Sequence, residues 1–334
     1  LFFRAANLEI TPEYRTTDER MTAMIAEKVL GVYASVGSLS PAEQAEWYRR
    51  ASREWGINTF ELPLLAGVPL PSELVETFSA LRASLVVTLV AQWAAGGQKN
   101  PAYGLSSVDE STRMTAVLDV CSVLQQCLGL SNQGIRIRNV VVHTGQRSGH
   151  SVQQAIALSR SLVDLRLVSA TVFRDCALTV EVTDCLPADH PIPFPAAKKA
   201  SLALADLIET IASVNRETAA GSPIPLLLNW GRLLINGDSP LAILDQILVS
   251  ALPLAGVILS GAGASVDGYR DSHNSHLDPD SGFTTVDAKA CAAVLKLSPQ
   301  STFLGMKCSR AKGDENLSID EVLTAQAELL NQIT

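Results

Sequence analysis

The chain has 334 residues, and 26 Lys plus Arg against 34 Asp plus Glu give it a formal charge of −8. At 47% hydrophobic and 18% charged it holds ample apolar material for a large core, which excludes a disordered chain. The acidic balance argues against nucleic acid as the main partner, because phosphate binding needs a basic face.

No run of about 18 apolar residues free of charges and breakers occurs, so no membrane partner is expected. The opening Leu1-Phe2-Phe3-Arg4 lacks the basic and apolar regions of a signal peptide. Six cysteines, at 121, 127, 176, 185, 291 and 308, form no C-x-x-C pair. They read as reduced thiols in a cytoplasmic protein.

Residues 1–28 are polar and charged and read as an N-terminal arm or helix. From residue 29 short apolar, β-branched runs alternate with longer helical segments. The expected strands are Val29–Ser35, Asn58–Leu64, Ser84–Val90, Arg138–Thr144, Leu178–Asp184, Pro225–Trp230, Ala255–Ser260 and Thr302–Cys308. Runs this apolar suit parallel strands buried on both faces. Capping chemistry marks helix starts at Ser40-Pro41, Ser239-Pro240, Thr284–Asp287 and Ser318–Glu321. Long helices are expected near 109–128 and 196–216. Eight strand–helix units predict an α/β fold, a single (β/α)8 TIM barrel over 29–334, with an open doubly wound sheet as the alternative.

A barrel of this kind gathers its active site at the carboxyl ends of the strands. Those ends carry Tyr33, Glu61, Trp93, His143, Glu181, Asn229-Trp230 with Arg232, Ser260 and Lys307. Charged and amide groups in such apolar runs are costly to bury unless paired, so their recurrence at one end points to a site. Glu181, Lys307, His143 and Glu61 are the catalytic candidates. Asn229, Trp230, Arg232, Tyr33, Trp93 and Ser260 are the binding candidates, the two Trp rings being suited to stacking on a sugar. The 262–282 segment reads as a long loop, able to close as a lid, and brings Tyr269 and His273. His273 and His276 with Asp271 offer an alternative metal set.

Glu61-Leu62-Pro63, His143-Thr144, Val180-Glu181 with Asp184-Cys185, Leu228-Asn229-Trp230-Gly231-Arg232, Ser260-Gly261-Ala262 and Gly305-Met306-Lys307 together resemble the DUF4862 family. That family resembles a branch of the xylose-isomerase-like sugar isomerase/epimerase barrels. Val142 and Val182 stand where the resemblance suggests Glu and His. The broader group implies a divalent metal held by acidic or His residues on strands five to eight. Here those strands offer Glu181, Asn229, Ser260 and Lys307. An ammonium at the last position repels a divalent ion and can take over its electrostatic role.

The expectation is therefore a cytoplasmic isomerase or epimerase without the usual metal, acting on a small polyhydroxylated or carbonyl substrate. Glu181 or Glu61 is the base. Lys307, paired with Glu181, and Asn229 stabilise the oxyanion, His143 relays a proton, and Arg232 binds an anionic group or orients a carboxylate. No cofactor is expected, and a homo-oligomer is open. The alternatives are a Schiff-base lyase or aldolase using Lys307, and a non-catalytic binding barrel.

Overall fold

The computed structural model describes residues 27–145, 151–172, 176–185, 202–217, 222–266, 268–298, 302–309 and 317–334. The strands are β1 Glu27–Leu30, β2 Thr59–Pro63, β3 Ser84–Thr88, β4 Arg136–Val142, β5 Ala177–Glu181, β6 Leu226–Asn229, β7 Leu254–Leu259, β8 Gly261–Ser265, β9 Gly268–Asn274 and β10 Phe303–Met306. All but β8 and β9 close into one barrel, in the order β1-β10-β7-β6-β5-β4-β3-β2, and its neighbouring strands pair in parallel. The helices are α1 Tyr33–Val36, α2 Pro41–Trp55, α3 Ser72–Ala80, α4 Val90–Lys99, α5 Glu110–Ser131, α6 Ser151–Val172, α7 Leu204–Glu217, α8 Trp230–Ile235, α9 Pro240–Val249, α10 Thr285–Lys296 and α11 Ile319–Ile333. The (β/α)8 barrel is thus the observed fold.

Successive strand residues alternate between the barrel interior and the helix layer. Val29, Val86, Val141, Leu227, Ala255, Ile258 and Phe303 form the inner cluster. Their neighbours Leu30, Leu85, Val87, Val140, Val142, Leu228 and Leu304 belong to the larger cluster under the helices. Each fully buried side chain of this size contributes roughly 1.5–3 kcal/mol of transfer free energy.

The capping signals form as their chemistry demands. Ser40 with Glu43, Thr284 with Asp287 and Ser318 with Glu321 all close reciprocal capping boxes at the starts of α2, α10 and α11. Ser239 flanks α9 without a side-chain cap bond. Among the described residues, α5 alone is long and apolar enough to cross a membrane. Its Val117, Val120, Val123, Leu124 and Cys127 are instead buried against the barrel.

Three expectations need correction. The first strand ends at Leu30, and Tyr33–Val36 turns into α1. The strand also begins at Glu27, two residues inside the expected arm, whose remaining residues lie outside the described ones. The 262–282 segment is not a plain loop: β8 and β9 pair antiparallel, from Gly261↔Asn274 to Ser265↔Gly268. The sequence signal is Asp267-Gly268 between two runs, a dipeptide that favours a tight hairpin. Neither run is rich in β-branched residues, so the hairpin depends on tertiary contacts.

Candidate active site at the barrel mouth

Strand register decides which side chains enter the mouth. Glu61 pairs with the inward Val86, Glu181 with Leu227 and Asn229 with Ile258. His143 follows the inward Val141 by two positions, and Lys307 follows Gly305, the partner of Val29 and Ile258. Ser260 follows Ile258 in the same way. Six expected site residues therefore form one polar ring directly above the inner apolar cluster. All are buried, from 1% exposed for Glu61 and Asn229 to 4% for His143.

Lys307 is the centre of the ring. Its Nζ lies 2.9 Å from Glu61 Oε1 and 3.9 Å from Glu181 Oε1. The expected Lys307–Glu181 pair is thus a triad, with Glu61 the nearer carboxylate. Gly31 makes room for the amine's stem: a Cβ there would lie 2.9 Å from Lys307 Cβ and 3.3 Å from Glu61 Oε2. Burial pulls the Lys307 pKa down, but Glu61, Tyr33 and Glu181 together push it above the ordinary lysine range. The group is an ammonium.

The two carboxylates are not equivalent. Both Glu181 oxygens are engaged: Oε1 accepts from Asn229 Nδ2 at 2.6 Å, and Oε2 is 2.8 Å from His143 Nε2. Burial raises its pKa, yet Lys307, His143 and Asn229 outweigh that and hold it well below 4.5. An ionised carboxylate only accepts, so His143 Nε2 carries the proton it shares. Glu61 accepts from Lys307 at 2.9 Å and from Tyr33 Oη at 3.3 Å, both on Oε1. Its Oε2 is buried without a hydrogen-bond partner in the protein. Burial raises its pKa, Lys307 offsets part of that, and the negative Glu181 adds to the rise. The environment thus separates the two carboxyls: Glu61 has its pKa raised and one oxygen unpartnered in the protein, while Glu181 is held ionised.

The remaining candidates stand around this ring. Arg232, buried in α8, donates to Asp184 at 2.8 and 3.1 Å and lies 2.8 Å from Asp271 of β9. Its guanidinium is thus paired with two carboxylates of the chain. Asp184, in the segment that follows β5, is fully buried and was legible only as a polar residue at a strand end. Trp230 donates from Nε1 to the Gly282 carbonyl at 3.3 Å and is 3% exposed, so its ring is packed under the hairpin's return. Trp93 lines a small cavity of about 20 Å³ with Leu89, Tyr103, Val142 and His143, and stands behind the ring. Tyr269 pairs with Ala264 in the hairpin. His273 reaches Ser260, with Nδ1 2.5 Å from Oγ.

The donors present do not fit a divalent ion. In the ring, strands β5 and β6 and the first residue past β7 and β10 supply Glu181, Asn229, Ser260 and Lys307, and the other carboxylate near β5, Asp184, is taken up by Arg232. Among the described residues no group of three or more His, Cys, Asp or Glu is placed to hold a metal. Asp271, His273 and His276 do not assemble into one ligand set. The residues Val142 and Val182 both belong to the cluster under the helices. Departures there do not touch the mouth.

No curated protein matches the chain in sequence. Among solved structures, an L-ribulose 3-epimerase shares 14% identity with a TM-score of 0.59, over 91% of this chain and 92% of its own. A D-allulose 3-epimerase from Methylomonas sp., solved with D-allulose, shares 13% with a TM-score of 0.58, over 92% and 97%. An IolI protein with a bound zinc atom shares 12% with a TM-score of 0.56, over 92% and 99%. At such identities these likenesses carry the barrel fold. The family model described as "Domain of unknown function (DUF4862)" matches residues 29–319, and the chain belongs to that family.

Proposed function

We propose that this barrel is a sugar isomerase or epimerase-like enzyme that moves a proton on a small polyhydroxylated carbonyl substrate. The observation that carries the reading is the buried Lys307 ammonium held between Glu61 and Glu181. Removing a proton beside a carbonyl leaves negative charge on its oxygen. A fixed positive pole and an amide donor at a buried site stabilise that charge without reorganisation. Glu61, with a raised pKa and an unpartnered oxygen, is the acid/base. Glu181 keeps Lys307 charged and holds His143 and Asn229 in place. Ketoses, the substrates in the names of several structural neighbours, match this chemistry.

Two further points support the reading. The positive pole is a side chain of the protein itself, fixed between two carboxylates. The carboxylates keep the amine protonated, and a Schiff-base nucleophile needs the free amine, so an imine route is the weaker alternative.

The test is hydrogen exchange in D2O, followed by proton NMR, on D-fructose, D-tagatose and D-allulose. Exchange at a carbon next to the carbonyl is expected, and it persists after dialysis against a chelator. Glu61→Gln lowers the rate by about 10²–10⁴-fold. Thermal-shift binding without exchange makes the barrel a non-catalytic binder. Exchange that stops with the chelator and returns with a divalent ion refutes the ammonium as the positive pole.

A further inference from the structure

The mouth holds a second group of residues that the proton-transfer reading does not use. Ser260, just past β7, shares the inward register of the ring and is 2% exposed. His273 on β9 sets Nδ1 2.5 Å from Ser260 Oγ. The same imidazole turns Nε2 toward Asp271 Oδ1 at 3.5 Å. Asp271 is fixed in turn by Arg232 at 2.8 Å, and Arg232 by the buried Asp184. A nucleophile, a base within hydrogen-bond reach and a third group orienting the base are the parts of an activated serine.

The backbone supports a built arrangement. His273 has φ of 56°, in the left-handed region, where non-glycine residues are uncommon and tend to cluster at functional sites. The adjoining chain is held as well: Ser309 N donates to the His273 carbonyl at 2.7 Å. The imidazole side chain is 26% exposed, so it links a buried hydroxyl to solvent. Ser260 is followed in the β7–β10 ladder by Lys307, whose backbone N–H donates to the Leu259 carbonyl, so the backbone around the hydroxyl is held on both sides.

We propose that Ser260, His273 and Asp271 form a base-assisted serine that takes the acyl group of an ester or lactone. Ser260 Oγ adds to the acyl carbon while its proton passes to His273 Nδ1, and the carbonyl π pair moves to oxygen. Collapse breaks the ester C–O bond, and the departing alkoxide takes the proton from His273. Water then adds to the acyl-serine, giving a proton to His273. The second collapse releases the carboxylic acid, and Ser260 recovers its proton. Asp271 faces the Nε2–H and stabilises the imidazolium in both halves. Water is the only co-reactant.

The experiment uses the full chain with p-nitrophenyl acetate, stopped-flow detection of p-nitrophenolate and mass mapping of the acetylated peptides. A burst approaching one equivalent is expected, with the acetyl group on Ser260. Ser260→Ala removes that adduct. His273→Asn, chosen because Asn tolerates left-handed backbone, slows acylation by about 10²–10⁴-fold. Melting curves report whether each variant is folded, and the wild-type adduct map stands without any variant. No burst, acetylation confined to lysines including Lys307, or an undiminished Ser260 adduct in a folded His273→Asn overturns the proposal. Acylation involves no carbon–hydrogen exchange, so this centre and the ketose reading can fail separately.

Discussion

Two glutamates 120 positions apart in the chain, Glu61 and Glu181, meet the same ammonium and have opposite fates. Glu181 is saturated by His143 and Asn229 and stays ionised; Glu61 keeps one buried oxygen without a partner. The consequence for stability follows from linkage. Because the folded state holds Glu181 well below 4.5, its contribution is complete above the unfolded value and is lost as pH falls toward the folded one. Glu181→Gln is expected to cost about 3–5 kcal/mol at neutral pH, since it leaves Lys307 and His143 buried with a lost partner. Its thermal midpoint is expected to fall less steeply than that of the wild type below pH 4.5, as melts across the acid range will show. The identities of these residues were readable in the sequence because a Glu or Lys inside a β-branched run stands out. Their division of labour was not, since it depends on which oxygen each neighbour reaches.

At the scale of elements, polar contacts among the described residues tie the β8–β9 hairpin to the barrel. Asp271 meets Arg232, His273 meets Ser260, and Ser309 bonds the His273 and Ser272 carbonyls. Asp271→Asn weakens the first tie and leaves the Arg232–Asp184 pair in place. Amide hydrogen exchange is expected to quicken across 261–274 and to stay unchanged in β4 and β5, because local opening is governed by the contacts a segment makes. Equal acceleration in both regions would instead mean that the hairpin and barrel open as one unit. The hairpin was hidden in the sequence by its Gly, Ala and Ser content, which lacks the apolar alternation of a half-buried strand. The capping boxes of α2, α10 and α11 were visible because they are local, complete within four residues.

For the molecule as a whole, the two faces of each strand obey different rules. The inward face changes from apolar cluster to polar ring within two residues of the strand ends, while the outward face stays apolar to the rim. Val142 shows this: it stands beside the ring residue His143, yet it packs beneath the helices. Val142→Glu is expected to lower the unfolding free energy by about 3–5 kcal/mol, the cost of an uncompensated buried charge, as denaturant titration will measure. A variant as stable as the wild type would mean that the side chain reaches the mouth instead. The eight-unit barrel was legible because its strands repeat in apolar runs separated by capped helices. The exact ends of β1 and the turn of α1 were not, since Val32 and Val36 are buried in helical as readily as in extended backbone.

Gly31 gives this architecture an inherited signature. The stem of Lys307 occupies the space a side chain at position 31 would fill, so the two positions are bound to vary together. Descendants that keep the lysine must keep the glycine, and those that abandon it are released to place a bulkier residue at 31. Sorting relatives by that two-letter code separates barrels built around a tethered amine from barrels built on other principles, before any of them is purified.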